Sequence, residues 1–321
     1  MAVGYIEMSN GQKLPHLGLG MWLAYDHAEL KQALRAALDA GYRYFDTASG
    51  YGNESALGDV LQEYYDAGKL KREDIFITSK LPYDSHETEA AEKSLKKSLE
   101  NLRTNYLDLY LIHAPLPFKI NDESSFTKEN LIPLDIPLIE TWSFMERQYK
   151  AGTLKSIGIS NFNARQIREL YQQAEVKPHN LQVELHILLP QKELLALCKE
   201  LNISVTSYST LGSPGRGQSQ ISQYIPGDCL NHPVVKKLAQ KYNKTSAQIL
   251  LRHTIQQGVS VIPKSTNPER LKQNINVFDF ELSGEDQQKL HSIQERVRFL
   301  IFNFAEHHPN ITHSTILIKT C

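Results

Sequence analysis

Cysteine is scarce in this 321-residue chain, which has three, Cys198, Cys229 and Cys321. They lie far apart with no C-x-x-C pair. That excludes a disulfide framework and a thiolate zinc site, and it points to reduced thiols and a cytoplasmic setting. Charge of one sign is lacking too. The 35 Lys and Arg nearly cancel the 36 Asp and Glu, leaving a formal net charge of −1. Such a balance gives no electrostatic footprint for nucleic acid or an anionic membrane. No apolar run approaches the roughly 20 residues that cross a bilayer. The stretch from Met1 to Glu7 has no basic segment followed by an apolar one, so no secretory signal is expected.

Several motifs are missing as well. No G-x-G-x-x-G follows a strand pattern, and Gly215-Arg216-Gly217 lacks the third glycine, which argues against a Rossmann dinucleotide site. There is no Walker A loop, no G-x-S-x-G elbow and no H-E-x-x-H. His307-His308 is too small a set for a metal site and is expected in solvent. Metal is therefore not expected.

What is present is ample core material, 41% hydrophobic residues against 22% charged, arranged with a rhythm. Asn10-Gly11 between two β-rich segments predicts an opening hairpin with a type I′ turn, since that turn needs φ > 0 at both central residues. Then eight short β-rich runs follow, at 17–21, 42–46, 75–79, 107–113, 156–160, 181–185, 204–208 and 260–263. Helical patterns separate or follow them at 26–40, 53–68, 87–102, 137–151, 164–173, 191–201, 234–241 and 268–274, with two more at 246–256 and 284–296. Strands alternating with helices imply a parallel sheet, and eight such units close an α/β (β/α)8 TIM barrel. The expectation is one domain over 1–321, with residues 1–16 as a hairpin cap and 297–321 as a C-terminal tail over the active-site face. No extra interaction segment is present, so a monomer is expected. Segments 115–134 and 211–232 are longer than connections need to be, and both follow strands on the face where barrels do chemistry. In the tail, Phe299, Phe302 and Phe304 either cover an apolar pocket or pack on the outside.

The polar residues at the predicted strand ends carry the chemistry. Asp46 ends the second strand, Lys80 follows the third and His113 ends the fourth, while Tyr51 stands between Gly50 and Gly52 just after Asp46. Singly, each has an ordinary structural explanation. Together they make a proton donor. A tyrosine with a pKa of about 10 is a poor acid at neutral pH, and a neighbouring lysine ammonium favours its phenolate and lowers that value. An aspartate fixes the lysine, and a histidine orients a carbonyl oxygen. That set suits carbonyl reduction, with the hydride supplied by a cofactor.

At these residues the chain resembles the aldo-keto reductase family. Gly41-Tyr42-Arg43-Tyr44-Phe45-Asp46-Thr47-Ala48 with Tyr51-Gly52-Asn53-Glu54 is similar to one signature. Leu107-Asp108-Leu109-Tyr110-Leu111-Ile112-His113, Gly158-Ile159-Ser160-Asn161-Phe162 and Ile262-Pro263-Lys264-Ser265 are similar to others, in the right order. The resemblance runs from the opening hairpin to Arg298. It implies a catalytic tetrad of Asp46, Tyr51, Lys80 and His113, and NADPH/NADP+ as cofactor. It also implies Ser160, Asn161 and Gln182 at the nicotinamide carboxamide and Tyr208 stacked on the ring. Ser209, Leu211 and Ser213 would lie along the pyrophosphate. Lys264, Ser265 and Arg270 would grip the 2′-phosphate, Asn274 the adenine, and Trp22 would line the pocket of a small carbonyl substrate. Ala114 and Pro82 stand where relatives such as aldose reductase carry tryptophan, and Gly50 where a larger apolar residue is usual, which implies a wider and less aromatic pocket. Gly215 replaces an acidic residue that clasps the cofactor, implying faster release, and Gln273 a glutamate beside Asn274. The alternative reading is an NADPH-binding scaffold or structural protein with little turnover.

Overall fold

A computed structural model describes residues 3–121, 130–218 and 226–311. An antiparallel hairpin, β1 (Tyr5–Glu7) and β2 (Lys13–Pro15), opens the chain. Its turn is not type I′. Gly11 has φ +80° but Asn10 does not have a positive φ, and the bonds Gly11 N to Met8 O and Met8 N to Gln12 O close a three-residue loop. In that geometry the left-handed residue forms a bulge after an ordinary turn, so one glycine suffices.

The eight barrel strands follow in the expected order: β3 (Leu19–Gly20), β4 (Tyr44–Asp46), β5 (Phe76–Leu81), β6 (Leu109–Ile112), β9 (Ile157–Ser160), β10 (Asn180–Glu184), β11 (Ser204–Tyr208) and β12 (Ser260–Val261). Each pairs in parallel with its neighbour. The ring closes where Leu17 bridges Val261, with Gly18 N on Val261 O and Val261 N on His16 O. Close strand approach at the seam requires glycine, since a Cβ on Gly20 would sit 2.5 Å from the carbonyl oxygen of Ile262. The last strand is shorter than expected because Pro263 has no N–H to give a ladder.

The helices lie where their caps predict. In α1 (His27–Asp39), Asp26 accepts from the amides of Ala28 and Glu29. In α5 (Ala164–Gln173) and α8 (Ser246–Ile255), capping boxes form between Asn163 and Gln166 and between Thr245 and Gln248. Asn267 caps α9 (Pro268–Ile275), with proline at its first position. Leu30, Leu34, Ala37 and Leu38 of α1 show the common pattern, an apolar stripe turned onto the barrel. The expected helix at 284–296 stops at His291.

The segment after β6 is more than a loop. Phe118–Ile120 and Leu131–Pro133 pair antiparallel as a second small hairpin, β7 and β8. The described part of the tail crosses the mouth of the barrel and docks on it. His308 is buried rather than solvated and bonds the carbonyl of Pro117, while His307 bonds that of Leu131. Cys321 and the end of the tail lie outside the described residues. Among the described residues no helix is long and apolar enough to cross a membrane, and no group of His, Cys, Asp or Glu could hold a metal ion.

Candidate active site

One cavity of about 1460 Å³ opens at the C-terminal ends of the barrel strands. Of the candidate catalytic, cofactor-binding and pocket residues, all but Lys80 line it, while Ala114, Phe299 and Phe304 do not. Lys80 lies just beneath, 1% exposed. It sits within β5 rather than after it, so its stem is packed between neighbouring strands and its ammonium emerges below Tyr51.

The polar contacts here are closed. Lys80 Nζ donates to Asp46 Oδ1 at 2.6 Å and to the carbonyl of Thr47 at 2.9 Å, and reaches the hydroxyl of Tyr51 at 3.4 Å. Gln182 Nε2 occupies the other Asp46 oxygen at 2.7 Å. Burial pulls both members of the Asp46–Lys80 pair toward neutrality, and their mutual attraction opposes it. Tyr51 departs from the simple expectation. Its pKa is raised well above the ordinary value, first by burial and then by the Asp46 charge. In this pocket desolvation outweighs the lysine, so the phenol holds its proton. His113 is driven down to about 3 by burial and the Lys80 charge, so its imidazole is neutral. Its ring stands edge-on to that of Tyr51, with centroids 5.7 Å apart.

Asn161 Nδ2 donates to the carbonyl of His113 and to Ser160 Oγ, and Tyr208 donates its hydroxyl proton to Asn161 Oδ1 at 2.6 Å. These bonds hold the Tyr208 ring on the cavity wall. Gln182 Oε1 and the Ser160 hydroxyl proton remain uncommitted among the described residues. Leu23, Asn161, Ser209 and Ser213 all have positive φ, at 64°, 63°, 53° and 45°, and all line the cavity. Backbone strain of this kind gathers where a site must be shaped.

The far end is cationic. Lys264, exposed, and Arg270, near the start of α9, have no carboxylate within ion-pair distance among the described residues. Partial burial holds Lys264 below the usual lysine value, Glu29 pulls the other way, and Arg270 adds to the lowering. Ser265 and Asn274 lie beside them on the same wall. Two unpaired cations with a hydroxyl at one end, and a stacking ring with uncommitted amide and hydroxyl groups at the other, fit a long dinucleotide bearing an extra phosphate.

Three residues to which the sequence assigned no particular role shape the site. Glu184, ending β10 and wholly buried, accepts from the amides of Phe299 at 2.6 Å and Leu300 at 3.0 Å and bonds His186. Burial alone would raise its pKa, but those bonds and the nearby Arg298 hold it below the usual value. With this clip in place Leu300, Ile301 and Phe302 line the cavity, while Phe299 and Phe304 pack in buried clusters. Arg216 donates to the carbonyls of Gly212, Ser213 and Gly227 and lies over the ring of Phe299. Tyr83 stacks on His113. Each was invisible as a motif because its partners are remote in sequence; the only local signal was a carboxylate, Glu184, at the end of a strand. Gly50 does border open space, with nothing within 4 Å of a Cβ built there. Ala114 is buried in a cluster with Tyr83, Phe302 and Phe304, so aromatic mass comes from other positions than those the resemblance implied.

Comparison with known proteins agrees with this geometry. The Aldo/keto reductase family profile matches residues 16–295. Aldo-keto reductase family 1 member A1-A of Danio rerio is 44% identical over 308 residues, covering 92% of this chain and 91% of that protein. Aldo-keto reductase family 1 member A1 of Homo sapiens is 41% identical, covering 94% and 92%. The solved aldose reductase from Schistosoma japonicum superposes with a TM-score of 0.87 at 37% identity, covering 95% of this chain and 97% of that one.

Proposed function

The chain belongs to the aldo/keto reductase family, an oxidoreductase of carbonyl reduction, and we propose that it reduces small aldehydes and ketones to alcohols with NADPH, using Tyr51 as the proton donor. The observation that carries this reading is the Tyr51 hydroxyl, 3.4 Å from Lys80 Nζ and beside a neutral His113, on the cavity whose other end holds the unpaired Lys264 and Arg270.

When bound, the reduced nicotinamide supplies the hydride that reaches the carbonyl carbon. The protein does the rest. Tyr208, Ser160, Asn161 and Gln182 seat the nicotinamide end, with Ser209, Leu211 and Ser213 along the pyrophosphate. Asn274 takes the adenine. Lys264, Ser265 and Arg270 receive the 2′-phosphate and thereby favour NADPH over NADH. His113, uncharged, offers an N–H that orients the substrate oxygen. Tyr51 gives its proton to that oxygen as negative charge grows there, and the Lys80 ammonium stabilises the phenolate left behind. Asp46 keeps Lys80 charged and in place. Trp22 and the tail residues Leu300 and Phe302 exclude water from the reacting carbonyl.

The test is consumption of NADPH by purified protein with a broad panel of aldehydes and ketones. Turnover is expected with at least some of the panel. NADPH that binds but is never consumed would overturn the reading in favour of a cofactor-binding scaffold.

A further inference from the structure

We propose that Tyr83 is a positioning residue for His113, its ring setting the orientation of the imidazole and passing to it the docking of the C-terminal tail. The proposal rests on the carbonyl-reductase reading above.

The argument starts from what holds His113. Its backbone is tied, with the amide on the carbonyl of Leu81 and its own carbonyl accepting from Asn161. Its ring is not. Among the described residues no hydrogen bond reaches either imidazole nitrogen. A functional histidine usually has one ring nitrogen bonded to a carbonyl or carboxylate, which fixes both orientation and tautomer. Here orientation must come from packing. Two rings supply it: Tyr51 edge-on, and Tyr83 face-on with centroids 5.4 Å apart and planes 15° from parallel. Tyr51 is the reacting acid, so Tyr83 is the ring free to serve as the fixed wall. The one N–H of the neutral imidazole is thereby left for the substrate oxygen.

Tyr83 is itself held. Its carbonyl accepts from the amide of Phe118 at 2.8 Å, joining it to the β7–β8 hairpin. Its ring meets that of Phe304 edge-on at 5.8 Å, and Phe304 meets Phe302 in the same manner at 5.7 Å. The small side chain of Ala114 shares this cluster. A continuous line of packed rings therefore runs from the tail through Tyr83 to His113. The groups facing the imidazole are the Lys80 ammonium with its Asp46 partner and the phenols of Tyr51 and Tyr83; the tail packs behind Tyr83 with the apolar Phe302 and Phe304. Removing the Tyr83 ring frees the imidazole to rotate and admits water beside it.

The experiment compares Tyr83→Ala, Tyr83→Leu and Tyr83→Phe with the parent. Leucine keeps apolar bulk, so it preserves folding should alanine not. Expected for alanine and leucine is a kcat lowered by up to roughly 10²-fold, the scale of a small misplacement of a reacting group, with KM for NADPH unchanged. Expected for phenylalanine is near-parental kcat. In Tyr83→Ala the His113 ring, followed by NMR, should titrate well above its parental value of about 3, and the kcat/KM profile should gain an ionisation. Parental kcat and titration in both the alanine and leucine variants would overturn the proposal. So would a phenylalanine variant as impaired as alanine, which would assign the effect to the hydroxyl. A parent inactive on every carbonyl would defeat the functional reading instead, and the NMR titration would still decide the clamp.

Discussion

The two ends of the cavity are built on opposite terms. At the Tyr51 end the charged pair is satisfied: both oxygens of Asp46 are occupied, Lys80 has three oxygen neighbours, and Asp46 and Lys80 are almost wholly buried. At the Lys264 end the cations are exposed and without an ion-pair partner among the described residues. The first arrangement holds a proton and a charge ready before substrate arrives, so little reorganisation is needed during reaction. The second leaves attraction to be satisfied by a ligand. On the proposed reading the satisfied Asp46–Lys80 pair serves chemistry, and the unpaired cations Lys264 and Arg270 serve binding.

That contrast can be broken from the binding end first, where the expected effect is largest. Replacing Lys264 and Arg270 together by methionine removes two charge-assisted contacts, each of about 1.5–3 kcal/mol. KM for NADPH should rise by about 10²–10⁴-fold in steady-state kinetics while that for NADH changes little, and kcat at saturation should hold. Equal loss for both cofactors would remove the 2′-phosphate assignment and with it one side of the comparison.

The burial that shapes the Tyr51 end extends through the barrel, and pH tests it. Burial holds His86 and His113 down to about 3 and His179 and His253 down to about 4, against about 6.5 in an unfolded chain. Between those values the unfolded chain binds protons that the folded one refuses, so stability is full above about pH 6.5 and falls as pH drops toward the folded values. Each histidine contributes about 1.4 kcal/mol per pH unit within its window. Thermal denaturation should show a melting temperature that declines steeply below pH 6.5, the contributions of the four histidines adding. A flat profile down to pH 4 would mean these rings are hydrated rather than buried.

Most of the barrel was legible because period and punctuation are local. Eight β-rich runs and the helices between them needed only alternation, caps and the proline at Pro268. The grouping of Asp46, Tyr51, Lys80 and His113 on one face was legible because they stand in or just after strands, at the end where a barrel gathers them. Other features depended on contacts that sequence spacing does not encode. The opening turn hinged on one φ at Asn10. The β7–β8 hairpin formed inside what reads as loop, since its strands are three residues each. The direction of the Tyr51 shift depended on burial, which no motif reveals, and it reversed an expectation based on the lysine alone. Glu184, Arg216 and Tyr83 act through partners in the tail or in the loop after β11, so their roles appear only once the chain has closed on itself.

The most direct test of the central claim, that the satisfied end performs the chemistry and the open end the binding, is Tyr51→Phe measured two ways on the same protein. NADPH affinity, followed by fluorescence titration, should match the parent, while kcat for aldehyde reduction should fall by about 10²–10⁴-fold, the contribution of a positioned general acid. Near-parental kcat in that variant, or a loss of NADPH affinity that accounts for the lost rate, would contradict it.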